Sequence, residues 1–545
     1  MTALEMGAAA SAGGTAADGA SAVVVGGGIA GLASAALLAR DGYDVDLLEQ
    51  QDTLGGRIGS WEADGFRFDT GPSWYLMPEV FDHFFSLFGT TADDALGLTR
   101  LDPGYRVFYE GEPEPVDIRA SRQANVATFE RIEAGAGARL EEYLDSAEDA
   151  YDVALRRFLY SNFDSVASQL RWDVAVRTPR LLKLLTQSLQ DFVAERFSDR
   201  RLTQVLGYPA VFLGTSPDRA PSLYHLMSRL DLADGVLYPA GGFVRLADAV
   251  ADLARRSGAR LHTGATVTEV TTRPRRGLRA RATATGVRYR DASGAERTLV
   301  ADVVVGAADL HHLETELLPA QLATYPQAYW DSRDPGPGAV LACLGVRGRI
   351  PELPHHSLFF TADWQRNFDD IFGDDPRVPE PASAYVCKPS ETDPTVAPDG
   401  CENLFVLVPV PADVSLGAGG IDGSGDPAVE RVADAAVDQV ADWAGIEDLR
   451  ARIVVRRTFG PADFARDLNA WSGGALGPAH TLRQSAFFRT GNVSQRVAGL
   501  YYAGSSTVPG IGLPMCLISA ELLVKRLRGD RSSEPLAAWA APAVT

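Results

Sequence analysis

Val23-Val24-Val25-Gly26-Gly27-Gly28-Ile29-Ala30-Gly31-Leu32 is the stretch on which the fold of this chain turns. The β-branched triplet reads as a short buried strand, and three glycines in a row end it. Apolar residues then return at helical spacing through Leu32, Ala36 and Ala39. Because Ser21 to Ala39 carries no charge, hydropathy alone nominates a membrane span. The glycines argue otherwise, since they weaken a bilayer helix but suit a strand-to-helix turn. Gly26, Gly28 and Gly31 also have the G-x-G-x-x-G spacing of a dinucleotide loop. Gly26 is expected to form the tight turn, Gly28 to admit a pyrophosphate against the backbone, and Gly31 to let helix and strand close. The helix start at Ile29 and Ala30 then aims free N–H groups and a positive dipole end at the phosphates.

Two further features extend the motif. A second strand over Tyr43 to Leu48 ends in Glu49-Gln50, where a carboxylate accepts from ribose hydroxyls. Leu54-Gly55-Gly56-Arg57 follows; alone it is a surface turn, but its arginine is placed to neutralise a phosphate. Together these segments resemble the FAD-binding amino terminus of the amine oxidase and phytoene desaturase superfamily. The continuation Phe66-Arg67-Phe68-Asp69-Thr70-Gly71-Pro72-Ser73 is similar to the same superfamily. There this turn lies near the flavin, so Gly71, Pro72 and Ser73 join the expected site.

The nucleotide unit is expected to be discontinuous. Tyr238-Pro239-Ala240-Gly241-Gly242 leads into helical spacing, Gly264 to Val270 reads as a strand, and Ala301 to Ala307 as another buried strand. In the resembling fold, Val267 offers backbone contacts to the adenine. Gly499 to Gly504 is a third strand, and Ser505 to Pro514 leads into an apolar helix. Gly504, Gly512, Leu513 and Pro514 are therefore expected beside the flavin ring, at a helix N-terminus that stabilises negative charge. Where many desaturases have Gly-Ala-Gly-Thr-x-Pro-Gly, this chain has Gly504-Ser505-Ser506-Thr507-Val508-Pro509-Gly510.

Other passages resemble bacterial phytoene desaturases: Phe212 to Pro217, Leu353 to Phe360, Asn367 to Phe372 and Ser485 to Arg489. The resemblance runs from about Ala22 to Arg528. It implies an α/β fold with a discontinuous Rossmann-like FAD-binding domain of the glutathione reductase type. A mixed-sheet substrate domain and a helical cap or membrane-associating region complete it. The expected division is a disordered tail over 1–20, FAD-binding segments over 21–103, 236–324 and 471–528, a substrate and cap region over 104–235, a substrate domain over 325–470, and a tail over 529–545.

The implied activity is FAD-dependent desaturation of phytoene or a related precursor toward lycopene-like carotenoids, by hydride transfer in an apolar tunnel. The substrate is then a long isoprenoid hydrocarbon, and a quinone or oxygen takes the electrons. Alternatives are a carotenoid isomerase, ketolase, saturase or 3,4-desaturase, a soluble-amine oxidase, or a non-enzymatic flavin-binding role. No catalytic base is legible; Arg57 and Asp69 read as structural.

Composition limits the partners. With 51 basic and 71 acidic residues and a net charge of -20, the 545-residue chain suits no nucleic acid. Its four cysteines form no C-x-x-C pair, which fits a reducing cytoplasm. The adjacent histidines lack metal-site spacing and neighbours in a strand point apart, so no metal is expected. Thr178 to Ser198 is predicted as one amphipathic helix with Leu181, Leu185, Leu189 and Phe192 on a face and Arg177, Arg180 and Lys183 at its start. Such a helix either packs on a core or dips into lipid as a monotopic anchor on the cytoplasmic face of the membrane.

Overall fold

The computed structural model describes residues 19–162, 183–275 and 280–538. A five-stranded parallel sheet organises the first half of the molecule, in the order Leu500–Tyr502, Val303–Gly306, Ser21–Val25, Asp44–Leu48 and Arg260–His262. The strand of the opening motif is central, flanked on both sides by strands far away in sequence. Alternation assigns its faces: Ala22 and Val24 pack toward helices, Val23 and Val25 toward a second sheet. Helices Ile29–Arg40, Val244–Arg256 and Leu513–Leu527 cover the first face. Ile29–Arg40 is buried along nearly its whole length, which explains why it is apolar all round and mimics a membrane helix. The other face carries the antiparallel strands Thr266–Pro274, Ala282–Arg290 and Glu296–Val300.

A seven-stranded mixed sheet forms the second half, ordered Ile453–Phe459, Gly338–Arg347, Cys401–Val410, Ala384–Cys387, His356–Phe360, Tyr105–Tyr109 and Val116–Ile118. Its pairs are antiparallel except His356–Phe360 with Tyr105–Tyr109. The stretches on either side of the second nucleotide segment therefore share one sheet. Helix Pro427–Ala444 packs on one face. The opposite face meets the hairpin Ser60–Ala63/Phe66–Asp69 and helices of the 122–207 region.

The long helix predicted over 178–198 is not continuous. Arg177, Arg180 and Leu181 fall outside the described residues. Within the described part, Ser188 pairs with Pro221 and caps a new helix, Leu189–Ala194, by accepting the Asp191 N–H at 3.0 Å. Leu189 and Phe192 are buried in the protein core, so this portion packs inward. No described helix is long and apolar enough to cross a membrane. The 1–20 tail lies outside the described residues apart from Gly19 and Ala20. At the other end, Leu536 is buried and its N–H donates to Glu521 at 3.1 Å, so the described part of that tail is docked.

Candidate functional site

A cavity of about 1070 Å³ runs from the parallel sheet into the space beneath the mixed sheet. Its sheet end is the glycine cradle. Gly26 sits at φ 106°, and a β-carbon there would meet the Ala308 nitrogen at 2.8 Å. Gly28 differs: its φ is -71°, and a β-carbon would find no atom nearer than 3.9 Å. Neither strain nor protein packing requires glycine at that point, so the open space there suits a group that presses on the backbone. Gly55 (φ 120°) approaches from the opposite wall, its N–H donating to the Gly27 carbonyl at 2.9 Å.

Glu49 stands at the end of its strand and is 7% exposed. Its Oε2 accepts the Gly27 N–H at 2.6 Å and its Oε1 the Gln51 N–H at 2.8 Å. Burial raises its carboxyl above the usual range, partly offset by these donors. Gln50 also lines the cavity, but its amide is engaged elsewhere, donating to the Asp467 carbonyl at 2.8 Å. Arg57 donates through Nε to the Ala475 carbonyl at 3.0 Å. Ile29, Ala30, Gly56, Gly71, Pro72, Ser73, Val267, Gly504, Gly512, Leu513 and Pro514 border the same space. Gly31 does not; a β-carbon there would stand 1.9 Å from the Gly26 carbonyl oxygen, so its role is close packing. Asp69 is also behind the wall, where it accepts the Phe243 and Val244 N–H groups at the start of helix Val244–Arg256. Burial pushes it up to about 6.

Beyond the cradle the walls turn apolar. Alternate residues of the mixed sheet, Leu341, Leu358, Phe360, Tyr385, Phe405 and Leu407, form a floor. Trp74, Tyr208, Phe212, Leu223 and Trp364 face them. Among the polar atoms of this chamber the Trp364 ring N–H is buried with no hydrogen-bond partner in the described residues, while tyrosine hydroxyls are tied back. Tyr208 donates to Asp231 at 2.7 Å, and Tyr105 reaches the same oxygen at 2.8 Å. Burial pushes Asp231 up to about 6.

Tyr385 joins Ser73 Oγ (2.6 Å) to His356 Nδ1 (2.8 Å), and the His356 ring stacks on Trp74. Burial holds His356 well below its ordinary value, so the chain of hydroxyls ends on a neutral imidazole. His355 and His356 do not point apart, as strand geometry alone predicts; His355 precedes the strand and the rings lie 4.5 Å apart. With Cys387 they form a buried group of three possible metal ligands, although each Nδ1 is already bonded, to Thr392 and Tyr385.

Residues 29–527 match the family model described as flavin containing amine oxidoreductase. The chain belongs to that family. It is an FAD-dependent oxidoreductase. The open space at Gly28 fits the cofactor, for which Glu49 would meet the ribose, Gly28 and the start of helix Ile29–Arg40 the pyrophosphate, and the Gly504–Pro514 loop the ring. This flavoprotein is 42% identical over 507 residues to the carotenoid 3,4-desaturase of Haloarcula japonica, covering 93% of this chain and 98% of that protein. It is 35% identical over 511 residues to the zeta-carotene-forming phytoene desaturase of Myxococcus xanthus, covering 93% of each. Among solved structures, an oxidoreductase from Methanosarcina mazei superposes with a TM-score of 0.59 at 16% identity, covering 93% of this chain and 100% of that one. Putrescine oxidase bound to putrescine gives 0.58 at 15%, covering 94% and 99%. At those identities the likeness is one of fold.

The chamber residues escaped the sequence reading. Tyr208, Asp231, Tyr385 and His356 have no fixed spacing, and only the folded sheet brings them together. The passage Leu353 to Phe360 carried a family resemblance, which was the one available signal for His356.

Proposed function

We propose that this flavoenzyme desaturates a carotenoid, removing hydrogen from a C–C single bond of a long isoprenoid hydrocarbon. The observation that carries the reading is the continuity of one cavity from the nucleotide cradle into an aromatic and aliphatic chamber. Charged groups on its wall, such as Glu49, Asp309 and Asp467, cluster with the cradle residues, while the chamber floor is apolar. An amine substrate calls for a carboxylate or another counter-charge in the chamber, and Asp231, a carboxylate next to its wall, is buried behind Tyr208.

Bound in the cradle, the flavin supplies the hydride acceptor. The chain's own residues hold the hydrocarbon in register and keep water away. The Ser73 and Tyr385 hydroxyls, linked to His356, stand at the chamber wall as a relay for the accompanying proton, and the burial that keeps His356 neutral makes it part of that relay and not the final acceptor. Which bond reacts is the finer question. The 42% identity to a protein named carotenoid 3,4-desaturase favours a terminal bond over the interior bonds of phytoene. Substrate entry from a membrane surface on the cytoplasmic side, with a quinone or oxygen as final acceptor, completes the proposal.

The test is a pigment chromatogram after incubating the holoenzyme with phytoene or with an acyclic coloured carotenoid in liposomes. Loss of two mass units with a red-shifted spectrum is the expected product signature. Flavin-loaded enzyme that leaves both hydrocarbons unchanged while releasing peroxide on amine addition defeats the proposal.

A further inference from the structure

Arg489 is 7% exposed and carries its charge into the interior directly behind the cavity loop. Its Nε donates to the Thr507 carbonyl at 3.1 Å, and Nη1 to Pro478 and Gln484 at 3.3 and 3.2 Å. Nη2 donates to the Ser505 carbonyl. Every acceptor is a backbone carbonyl, and no described carboxylate pairs with it. The titratable groups that face it are Tyr224, Tyr329, Cys516 and His480. Burial favours the neutral form of all four, raising the phenols and the thiol and lowering the imidazole. A buried cation without a counter-ion is costly and calls for a reason.

The carbonyls it grips show where its field falls. Ser505 and Thr507 belong to the loop between strand Leu500–Tyr502 and helix Leu513–Leu527. That loop starts near the cradle, where a β-carbon on Gly504 would lie 3.7 Å from the Ala30 Cβ. It ends near the chamber, where Ile511 packs on Gly214. Gly510 is pressed onto the same group: a β-carbon there would stand 2.2 Å from His480 Cε1 and 3.5 Å from the Arg489 Cζ. The helix that follows opens at the cavity wall with Gly512, Leu513 and Pro514, adding its positive dipole end. Two positive fields thus meet between the phosphate cradle and the substrate chamber, where a redox ring in contact with substrate must lie.

We propose that Arg489 is a positioning residue that sets the flavin's redox poise. Its uncompensated charge favours the reduced ring, which holds two electrons and one proton and is an anion, over the neutral oxidised ring. The missing counter-ion is therefore the cofactor itself in its reduced state. A purely structural brace for the loop needs the hydrogen bonds but not the charge, and the two roles separate experimentally.

The experiment is a spectroelectrochemical titration of the purified holoprotein between pH 6 and pH 8, with R489K and R489Q alongside. The wild-type two-electron potential is expected to fall about 30 mV per pH unit, the value for one proton per two electrons. A slope near about 59 mV, reporting a neutral reduced ring, overturns the proposal. R489K keeps the charge and is expected to hold the reduction equilibrium within twofold of wild type. R489Q keeps some hydrogen bonding without charge and is expected to disfavour reduction tenfold or more, about 30 mV. Equal shifts in both variants, or an unshifted R489Q, also overturn it. Loss of flavin from both variants alike reports a structural brace and overturns it as well.

Discussion

Gly31 packs on Gly26 so closely that a β-carbon at Gly31 would stand 1.9 Å from the Gly26 carbonyl oxygen, whereas a β-carbon at Gly28, three residues earlier, would meet nothing nearer than 3.9 Å. Two glycines of one motif are thus glycine for different reasons. Gly31→Ala is expected to force helix Ile29–Arg40 off its strand, at a cost of about 1–3 kcal/mol. Gly28→Ala should leave stability of the flavin-free protein within about 0.5 kcal/mol, because its φ is ordinary and the space is open. Yet it should bind FAD at least tenfold more weakly. Thermal unfolding of apoprotein and flavin titration measure both; comparable destabilisation by the two substitutions contradicts this division.

Glu49 uses both oxygens on loop N–H groups, those of Gly27 and Gln51. In Glu49→Gln one of those donors faces an amide NH₂ in place of an acceptor. We expect a loss of about 1–3 kcal/mol in apoprotein stability and a further fall in FAD affinity as the ribose loses a charged acceptor. Flavin occupancy after gel filtration is the direct readout. Full occupancy in the variant removes Glu49 from the site.

The cradle was legible because its physics is local: a turn, a close approach and a helix start occupy consecutive residues from Gly26 to Gly31. The chamber was not, because its walls are alternate residues on strands such as His356–Phe360 and Cys401–Val410, and strand pairing alone decides what they face. Apolar spacing likewise continues across Gln187-Ser188, which hides the break there. The pairing of Ser188 with Pro221 is tertiary and overrides local period. Arg489 was visible only as part of a family-like passage; that no carboxylate among the described residues meets it is a property of the folded loop.

Asp231 offers a pH test of the core behind the chamber. Burial lifts its folded value from the ordinary 3.8 to about 6, while the unfolded chain keeps the ordinary value. A raised folded value means that the contribution of this group is fully present below about 3.8 and is lost as pH rises through about 6. The lift corresponds to about 3 kcal/mol. Asn at this position accepts from Tyr105 and Tyr208 through its single oxygen and carries no charge. Asp231→Asn should therefore stabilise the protein more at pH 7.5 than at pH 4.5, as followed by urea unfolding. An equal effect at both values means that the folded protein does not raise the Asp231 carboxyl above its value in the unfolded chain.

Tyr385 provides the sharpest probe of the chamber, because its hydroxyl does two separable things. It satisfies His356 Nδ1 at 2.8 Å, and it links that imidazole to Ser73 at the cavity wall. Tyr385→Phe leaves His356 Nδ1 without this partner, which should cost about 1–3 kcal/mol of stability, and it breaks the link between Ser73 and the ring. If the linked hydroxyls relay the proton lost with the hydride, turnover should fall about 10²-fold or more. FAD content should stay as in wild type, since Tyr385 stands on the sheet floor and meets the Gly71–Ser73 turn through the Ser73 hydroxyl. His356→Gln keeps a hydrogen-bonding group opposite Tyr385 but removes the imidazole from the relay, and should reproduce the turnover defect with less loss of stability. Stopped-flow reduction of the flavin by the carotenoid, together with urea unfolding of both variants, distinguishes a chemical role from a packing one. Variants that are destabilised yet reduce their flavin at the wild-type rate leave Tyr385 as a structural residue.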